Sequence, residues 1–382
     1  MKKLRVFHFI SHFDMGGAER VAASIAQSAS PDMEYHIVEM MRGHSRFSEE
    51  FITELKTSGI HCHRGWMPDI HFHFLLERIT ALLFPLWFLP TYLRWRPDVI
   101  HAHTELPDLC LTAFCQCFPW LTRHCRIVRT IHNTRLWTGQ KRVGRHVERF
   151  YQQRKANIAI SQSVLQCYER EYQESPPIIY NGVGETAIHK EYDDLKTGKV
   201  NVIFAGRMEP QKGIDILMAV VSRLANDDRY HFHIFGDGTL REKVMAGLGP
   251  LPNTSIHGPL PHLPAYLPSF DYMLMPSEFE GLSIVAIEAS MAGLPNIINS
   301  CLGLEETLPS TWPLKVKDND VEAYIRLFKE VLPHADRQQL GSEAHEYARR
   351  NFSLTTMRQR YERFYKEGKT TDDTTGKKEE RT

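Results

Sequence analysis

Strand-like apolar runs and helix-like periods take turns along this chain, and that alternation is what most narrows its fold. Leu4–Ile10, Tyr35–Met41, Ile60–His63, Asp98–Ala102, Ile127–Ile131 and Asn157–Ile160 read as strands. Between them, Ala18–Ala29 (Val21, Ala22, Ile25 and Ala26 on one face), Phe47–Ser58, Leu106–Cys117, Lys141–Lys155 and Gln162–Glu171 have helical character. Strands joined by helices of this length predict a parallel sheet covered on both faces. The pattern pauses at Pro176–Glu185, where Pro176-Pro177, a short strand Ile178–Tyr180 and Asn181-Gly182-Val183-Gly184 read as a linker. It restarts with strands at Val200–Ala205, Tyr230–Phe235, Thr254–His257, Asp271–Met275 and Pro295–Ile298, and helices at Gly213–Asn226, Leu240–Leu248 and Pro261–Leu267. Helices at Val321–Leu332, Arg337–Asn351 and Leu354–Lys366 follow. The expectation is α/β: two doubly wound domains, residues 1–180 and 185–353, with a ligand cleft between them at the C-terminal ends of the strands. The aromatic-free tail Glu367–Thr382 reads as disordered.

Length and charge fit that division. The chain has 382 residues, enough for two cores. Its 46 Lys and Arg balance 46 Asp and Glu, which argues against a dedicated nucleic-acid binder. The balance hides a bias. Residues 1–180 hold 22 basic and 17 acidic side chains, and between Leu121 and Lys155 ten Lys or Arg face one acid, Glu148. That stretch reads either as a solvated helix face or as a surface for anionic lipid or a phosphorylated acceptor. The apolar run Ile79–Trp95, broken by Pro85 and Pro90, is too short and interrupted to span a bilayer. It reads as a buried helix, or alternatively as a helix that dips into a membrane surface. Leu4–Ile10, interrupted by Arg5 and His8 and followed by no small-residue cleavage site, reads as a strand and not as a signal peptide. Seven cysteines without a CxxC pair predict neither disulfides nor a zinc site, in keeping with a cytoplasmic protein.

The stretch Ser277–Pro295 carries the strongest chemistry. It turns through Glu280-Gly281 and becomes helical with Ile284, Ile287 and Met291 in phase; Glu288 falls on that helix. Free N–H groups at a helix start attract anions. Carboxylates beside them accept bonds from hydroxyls, and phosphate with hydroxyls on one ligand describes a nucleotide sugar. Glu280 and Glu288 equally fit an acid/base pair, or one solvated and one surface charge. Arg207 and Lys212 lie in a strand-to-helix loop closed by Gly213, where two cations can converge on a diphosphate; incidental surface charge is the plain alternative. Gly16-Gly17 allows close backbone approach but follows neither GxGxxG nor GxxxxGK[ST]. Gly236-Asp237-Gly238 reads as a tight turn, and His132 as a strand-end residue pointing into the cleft or simply satisfied there. Asp318-Asn319-Asp320 matches a metal-binding DxD, but its place before a helix reads as an N-cap.

In register, Gly16-Gly17-Ala18-Glu19-Arg20-Val21, Thr130-Ile131-His132-Asn133, Asn181-Gly182-Val183, Gly206-Arg207 with Lys212-Gly213, Gly236-Asp237-Gly238 and Glu280-Gly281-Leu282 through Glu288-Ala289 resemble the family 4 retaining glycosyltransferases of the GT-B fold. The resemblance runs from about residue 5 to residue 300. It implies that Gly16 and Gly17 lie under the donor and that Arg207 and Lys212 hold its diphosphate. It further implies that Glu288 reads the ribose, that Glu280 orients the sugar, and that the N–H groups of Gly281, Leu282 and Ser283 complete the anion site. Gly236 joins the substrate-binding set, and His132 lies near the reacting carbon. The implied activity needs no metal or cofactor. It moves a hexose or N-acetylhexosamine from a nucleotide diphosphate sugar, UDP-sugar by expectation, to a glycan or lipid-linked acceptor in surface-polysaccharide synthesis. Residues 79–95 and 121–155 would meet an anionic inner membrane face. The final helix would cross back onto the first domain. A GT-B epimerase would require a further first-domain carboxylate besides Asp14, and a non-catalytic nucleotide-sugar binding protein would predict a disabled donor site. After residue 298 relatives often carry paired glycines; here only Gly303 stands in Asn299–Glu305.

Overall fold

The computed structural model describes residues 3–13, 17–43, 46–68, 73–185 and 189–368. Asp14, Gly16 and the tail from residue 369 lie outside them. The chain divides into two units, Met1–Gly182 with Leu354–Thr382, and Val183–Ser353.

In the first unit the order is β1 (Leu4–Ile10), α1 (Gly17–Gln27), β2 (Met33–Glu39), β3 (Met41–Arg42), α2 (Arg46–Thr57), β4 (His61–His63), β5 (Met67–Pro68) and α3 (His73–Trp95). Then come β6 (Val99–Ala102), α4 (Glu105–Cys117), α5 (Pro119–Thr122), β7 (Arg126–Ile131), α6 (Lys141–Gln152), β8 (Asn157–Ala159) and α7 (Gln162–Tyr172). Six strands form one parallel sheet in the order β4-β2-β1-β6-β7-β8. The two-residue strands β3 and β5 pair separately. The predicted strand Ile178–Tyr180 is reduced to one bridge, from Ile178 to Ala159.

The period-two alternation of β1 sorts the core. Val6 and Ile10 join Val21, Ile25 and Leu55, whereas Phe7 and Phe9 join Phe84, Phe88 and Phe114. The predicted return of the last helix is realised: α14 (Leu354–Glu367) buries Met357, Tyr361, Phe364 and Tyr365 in the Val6 core.

Two expectations need correction. The apolar helix α3 is buried on one face only. Phe88 packs edge-on against Phe114 at 5.0 Å between centroids, while Leu75, Leu82, Leu86 and Leu93 stand 66%, 75%, 69% and 47% exposed. Their spacing of seven, four and seven residues places them on one stripe. The basic stretch is likewise not all surface. Arg129 is buried, its Nε 2.7 Å from Asp108 and its Nη1 2.7 Å from Glu148. Glu148 is therefore the internal partner of an arginine core and does not dilute the exposed charge of Arg142, Arg145 and Arg149.

The second unit repeats the design with β9 (Val200–Ala205), α8 (Ile214–Arg223), β10 (Tyr230–Phe235), α9 (Arg241–Leu248), β11 (Thr254–His257), α10 (Leu263–Tyr266), β12 (Tyr272–Met275), α11 (Ile284–Met291) and β13 (Asn296–Asn299). It closes with β14 (Lys315–Val316), α12 (Val321–Arg326) and α13 (Arg337–Phe352). Its parallel sheet is ordered β11-β10-β9-β12-β13-β14. The two-residue β14 gave too short an apolar run to announce itself. The predicted single helix Val321–Leu332 changes pitch: α12 stops at Arg326 and a π turn covers Leu327–Val331.

In both sheets the chain starts in the middle, runs to one edge, and returns to the centre to build the other half. The switch point lies between β1 and β6 in the first and between β9 and β12 in the second. Loops leaving the C-terminal ends of such neighbours diverge, which opens a crevice for ligand.

Candidate active site

In the second unit the loops after β9 and β12 meet across the switch point. Lys212 ends a 3₁₀ turn, Pro210–Lys212. Its Nζ donates to Glu280 Oε1 at 2.6 Å. The Ser277 hydroxyl donates to the same oxygen at 2.8 Å. The pair is largely shielded, with side-chain exposures of 17% and 7%.

Two glycines make this approach possible. Gly213 has φ +65°, and a Cβ there would lie 1.7 Å from the Pro276 carbonyl oxygen; Gly303 has φ +77°, and a Cβ there would lie 2.1 Å from the Glu280 carbonyl oxygen. The lone glycine after β13 thus lets the Cys301–Leu304 turn press against the Glu280 turn. Glu280 N donates to Leu302 O at 3.1 Å, and Ser283 N to Gly303 O at 2.9 Å.

The second of those bonds corrects the expected anion site. The Ser283 N–H is occupied by Gly303, and Ser283 contributes a buried hydroxyl that has no partner among the described residues. The Leu282 N–H makes no hydrogen bond among the described residues, and the first-turn N–H groups of α11 follow it. Gly281 belongs to the same turn, between Glu280 and Leu282.

The Arg207 side chain is exposed and makes no hydrogen bond or ion pair among the described residues, while its carbonyl accepts from Glu209 N at 2.9 Å. The loop carrying it is fixed to the next one: Glu209 accepts from the Thr239 N–H at 3.0 Å and the Thr239 hydroxyl at 2.7 Å, and Met208 N donates to Asp237 O at 2.8 Å. Gly236 closes β10 within this contact, its N–H donating to His257 O at 3.3 Å.

Glu288 is not part of the Lys212 cluster. It sits on α11, half-buried, and lines a pocket of about 140 Å³ with Gly184, Glu185, His189, Met291 and His345. Burial raises its pKa to about 7. A carboxyl group in a small pocket, with no ion-paired cation among the described residues, can exchange hydrogen bonds with hydroxyls.

In the first unit, Gly17 opens α1, and a Cβ there would meet no atom within 4 Å, so the space above its backbone is open. His132 follows β7 and is half-buried; its Nε2 lies 3.3 Å from His103 Nδ1.

Of the acidic DxD, Asp320 caps α12 by accepting from Glu322 N at 3.0 Å, as its position predicted. Three groups among the described residues have ligand-type atoms within 4.8 Å of one another: His8/His101/His103, Glu34/His36/His61 and Asp194/His233/His257. None contains a donor-site residue. In the first, every ring nitrogen is already hydrogen-bonded.

Sequence reasoning passed over Ser277, His8, His101 and His103. The histidines carried one signal, the period-two placement of His101 and His103 at the end of one strand. Nothing in the sequence announced which helix would cover them.

Comparison with known proteins identifies the family and the fold. Residues 15–185 match the family described as Glycosyltransferase Family 4, and residues 199–333 match Glycosyl transferases group 1. An uncharacterized 41.2 kDa protein in the cps region of Klebsiella pneumoniae is 26% identical over 290 residues, 70% of this chain and 78% of that one. Among solved structures, Anabaena HepE in complex with UDP and glucose superposes with a TM-score of 0.70 at 16% identity, over 95% of this chain and 100% of that one. The lipopolysaccharide outer core galactosyltransferase WaaB superposes with a TM-score of 0.68 at 16% identity, over 95% and 98%. At such identities the structural likeness is one of fold. The chain belongs to the family 4, or group 1, glycosyltransferases and has the GT-B fold.

Proposed function

We propose that this glycosyltransferase moves a hexose or N-acetylhexosamine, with retention of configuration and without a metal, from a UDP-sugar to a glycan or lipid-linked acceptor of a surface polysaccharide. The observation that carries the donor assignment is the Lys212–Glu280 pair at the C-terminal end of β9 and β12, beside Arg207 and the start of α11. An ammonium has three donors, so Lys212 can keep Glu280 and still bind a phosphate oxygen. Arg207 adds a planar fork. Glu280 has a second carboxylate oxygen for a sugar hydroxyl, Glu288 reads the ribose, and His132 contacts a sugar hydroxyl.

The reaction follows from these parts. The bond between the anomeric carbon and the diphosphate breaks, and negative charge grows on the leaving phosphate as the sugar becomes oxocarbenium-like. Arg207, Lys212 and the α11 N-terminus stabilise that charge as it forms. The leaving phosphate takes the proton of the attacking acceptor hydroxyl on the same face, which preserves configuration. The printed descriptions of three relatives support the substrate class: UDP and glucose bound to HepE, an outer core galactosyltransferase, and a protein of a cps region.

The acceptor side is assigned to a membrane surface. No helix among the described residues is long and apolar enough to cross a membrane. The leucine stripe of α3 and the cationic face of α6 belong to the same unit, and Gln140, just before α6, holds Glu77 of α3 at 2.7 Å. An exposed apolar stripe and an exposed cationic helix face on one unit suit the inner, anionic face of a bilayer, where a lipid-linked acceptor is presented.

A panel of nucleotide sugars tests the donor assignment by thermal stabilisation and by release of nucleoside diphosphate. UDP-sugars are expected to raise Tm and at least one to be turned over. A panel in which no nucleotide sugar stabilises the protein contradicts the proposal.

A further inference from the structure

Seven groups of the first unit form one unbroken hydrogen-bonded chain that ends at His132. Tyr361 Oη lies 2.9 Å from Thr130 Oγ1, which lies 2.7 Å from His101 Nε2; His101 Nδ1 lies 2.7 Å from Tyr365 Oη. Tyr365 Oη is 3.4 Å from His8 Nε2, His8 Nδ1 2.7 Å from His103 Nε2, and His103 Nδ1 3.3 Å from His132 Nε2. All but His132 are buried. Two of them, Tyr361 and Tyr365, come from α14 at the far end of the sequence.

Burial lowers the pKa of all four imidazoles, which are therefore neutral near pH 7. A neutral imidazole has one N–H and one lone pair. Each imidazole therefore passes on the direction it receives, and a hydroxyl that accepted from both neighbours would leave its own buried proton without an acceptor in the chain, so two directions run through unbroken. With protons pointing away from His132, Thr130 donates to Tyr361, and the buried Tyr361 O–H is left without an acceptor, because Thr130 is its hydrogen-bond partner among the described residues. With protons pointing toward His132, Tyr361 donates to Thr130, Thr130 to His101, His101 to Tyr365, Tyr365 to His8, His8 to His103 and His103 to His132. Every buried proton then has an acceptor. An unsatisfied buried donor costs more than an unused lone pair on a hydroxyl that already donates, so the second direction wins.

We propose that this chain fixes His132 as the Nδ1–H tautomer, so that its half-exposed edge is a hydrogen-bond donor and not a base. Tyr365, His8, His101 and His103 are positioning residues for it. The functional value of this tautomer rests on the reading of His132 as a sugar contact: an N–H suits a hydroxyl oxygen of the sugar, and the proton of the acceptor must leave by another route, to the phosphate. The tautomer itself does not depend on that reading.

The test is the nitrogen-15 spectrum of histidine-labelled protein without substrate, with His132 assigned by its loss in His132→Gln. Wild type is expected to show a protonated Nδ1 and a pyridine-type Nε2 at His132. Tyr365→Phe removes a hydroxyl that does not touch His132 yet cuts the chain between His101 and His8, so both tautomers of His132 are expected, with kcat reduced in proportion and donor KM unchanged. Tyr361→Phe, on the same helix, leaves Thr130 to donate to His101 and is expected to leave His132 unaltered. A wild-type His132 protonated on Nε2, or a His132 spectrum unchanged in Tyr365→Phe, overturns the proposal. The wild-type spectrum decides the tautomer even if a variant fails to fold. Failure of the sugar-contact reading shows separately, as wild-type kcat in His132→Gln.

Discussion

Lys212 Nζ and Glu280 Oε1 meet at 2.6 Å across the point where the second sheet reverses its strand order, joining the loop after β9 to the loop after β12. The pair neutralises a nearly buried carboxylate and places an ammonium at the start of α11. Removing one partner leaves the other charge shielded and alone, which is the costly case for a buried pair. Glu280→Gln keeps the shape and a hydrogen-bond acceptor but frees the ammonium. It is expected to fold, by circular dichroism, and to lose about 10²-fold in kcat/KM or more. Wild-type kinetics in this variant contradicts the role given to Glu280.

The Arg207 side chain is carried by a fixed loop and has no hydrogen-bond or ion-pair partner among the described residues. Arg207→Ala is therefore expected to leave the unfolding free energy within about 0.5 kcal/mol of wild type, as an exposed substitution does. Combined with Lys212→Ala it is expected to lower transfer by roughly 10³-fold or more. Steady-state kinetics with a turned-over donor checks both halves.

Glu288 gives a pH signature. Its pKa, raised to about 7 by burial, exceeds the ordinary glutamate value of 4.5. The folded state therefore holds a proton that the unfolded state has already lost. The resulting stability is fully present below pH 4.5 and is lost as pH rises through about 7. Thermal melts between pH 5 and pH 8 are expected to show wild type losing stability relative to Glu288→Gln. Parallel curves exclude the raised pKa.

In the first unit, Arg129 is the sole cation bonded to Asp108 and Glu148 among the described residues. Arg129→Met leaves two buried carboxylates facing each other without it. A loss of about 3–5 kcal/mol is expected in urea unfolding. A loss below about 1 kcal/mol shows the triad to be dispensable.

For the leucine stripe, Leu82→Ser with Leu86→Ser alters two side chains that touch little of the core. Sedimentation with phosphatidylglycerol vesicles is expected to show weaker binding with unchanged Tm. Wild-type binding is expected to fall as salt rises, because exposed charges are screened within a Debye length of about 8–10 Å. Absence of wild-type binding removes the membrane assignment.

The two sheets could be read from sequence because their strands are buried on both faces and stand out as apolar runs of regular spacing. The motif around Glu280 was equally legible, since a carboxylate in a turn followed by an apolar helix is a local pattern. Other features depended on partners distant in sequence. Lys212 and Glu280 are 68 residues apart, and nothing local indicates that they touch. The Ser283 N–H looked free until Gly303 arrived from the next loop. Arg129 looked like surface charge because Asp108 and Glu148 reach it from α4 and α6. The leucines of α3 stay exposed because β1 and α4 pack on the other face of the helix, through Phe84 and Phe88, a fact of packing that its composition cannot express.

The central claim is that the crevice of the second unit binds a nucleoside diphosphate through Lys212. Calorimetric titration of UDP against wild type and Lys212→Ala tests it most directly. Saturable binding to wild type, weakened at least about tenfold in the variant, or by about 1.4 kcal/mol, is the predicted result. Equal affinity in the two proteins, or no binding of UDP to wild type, contradicts it.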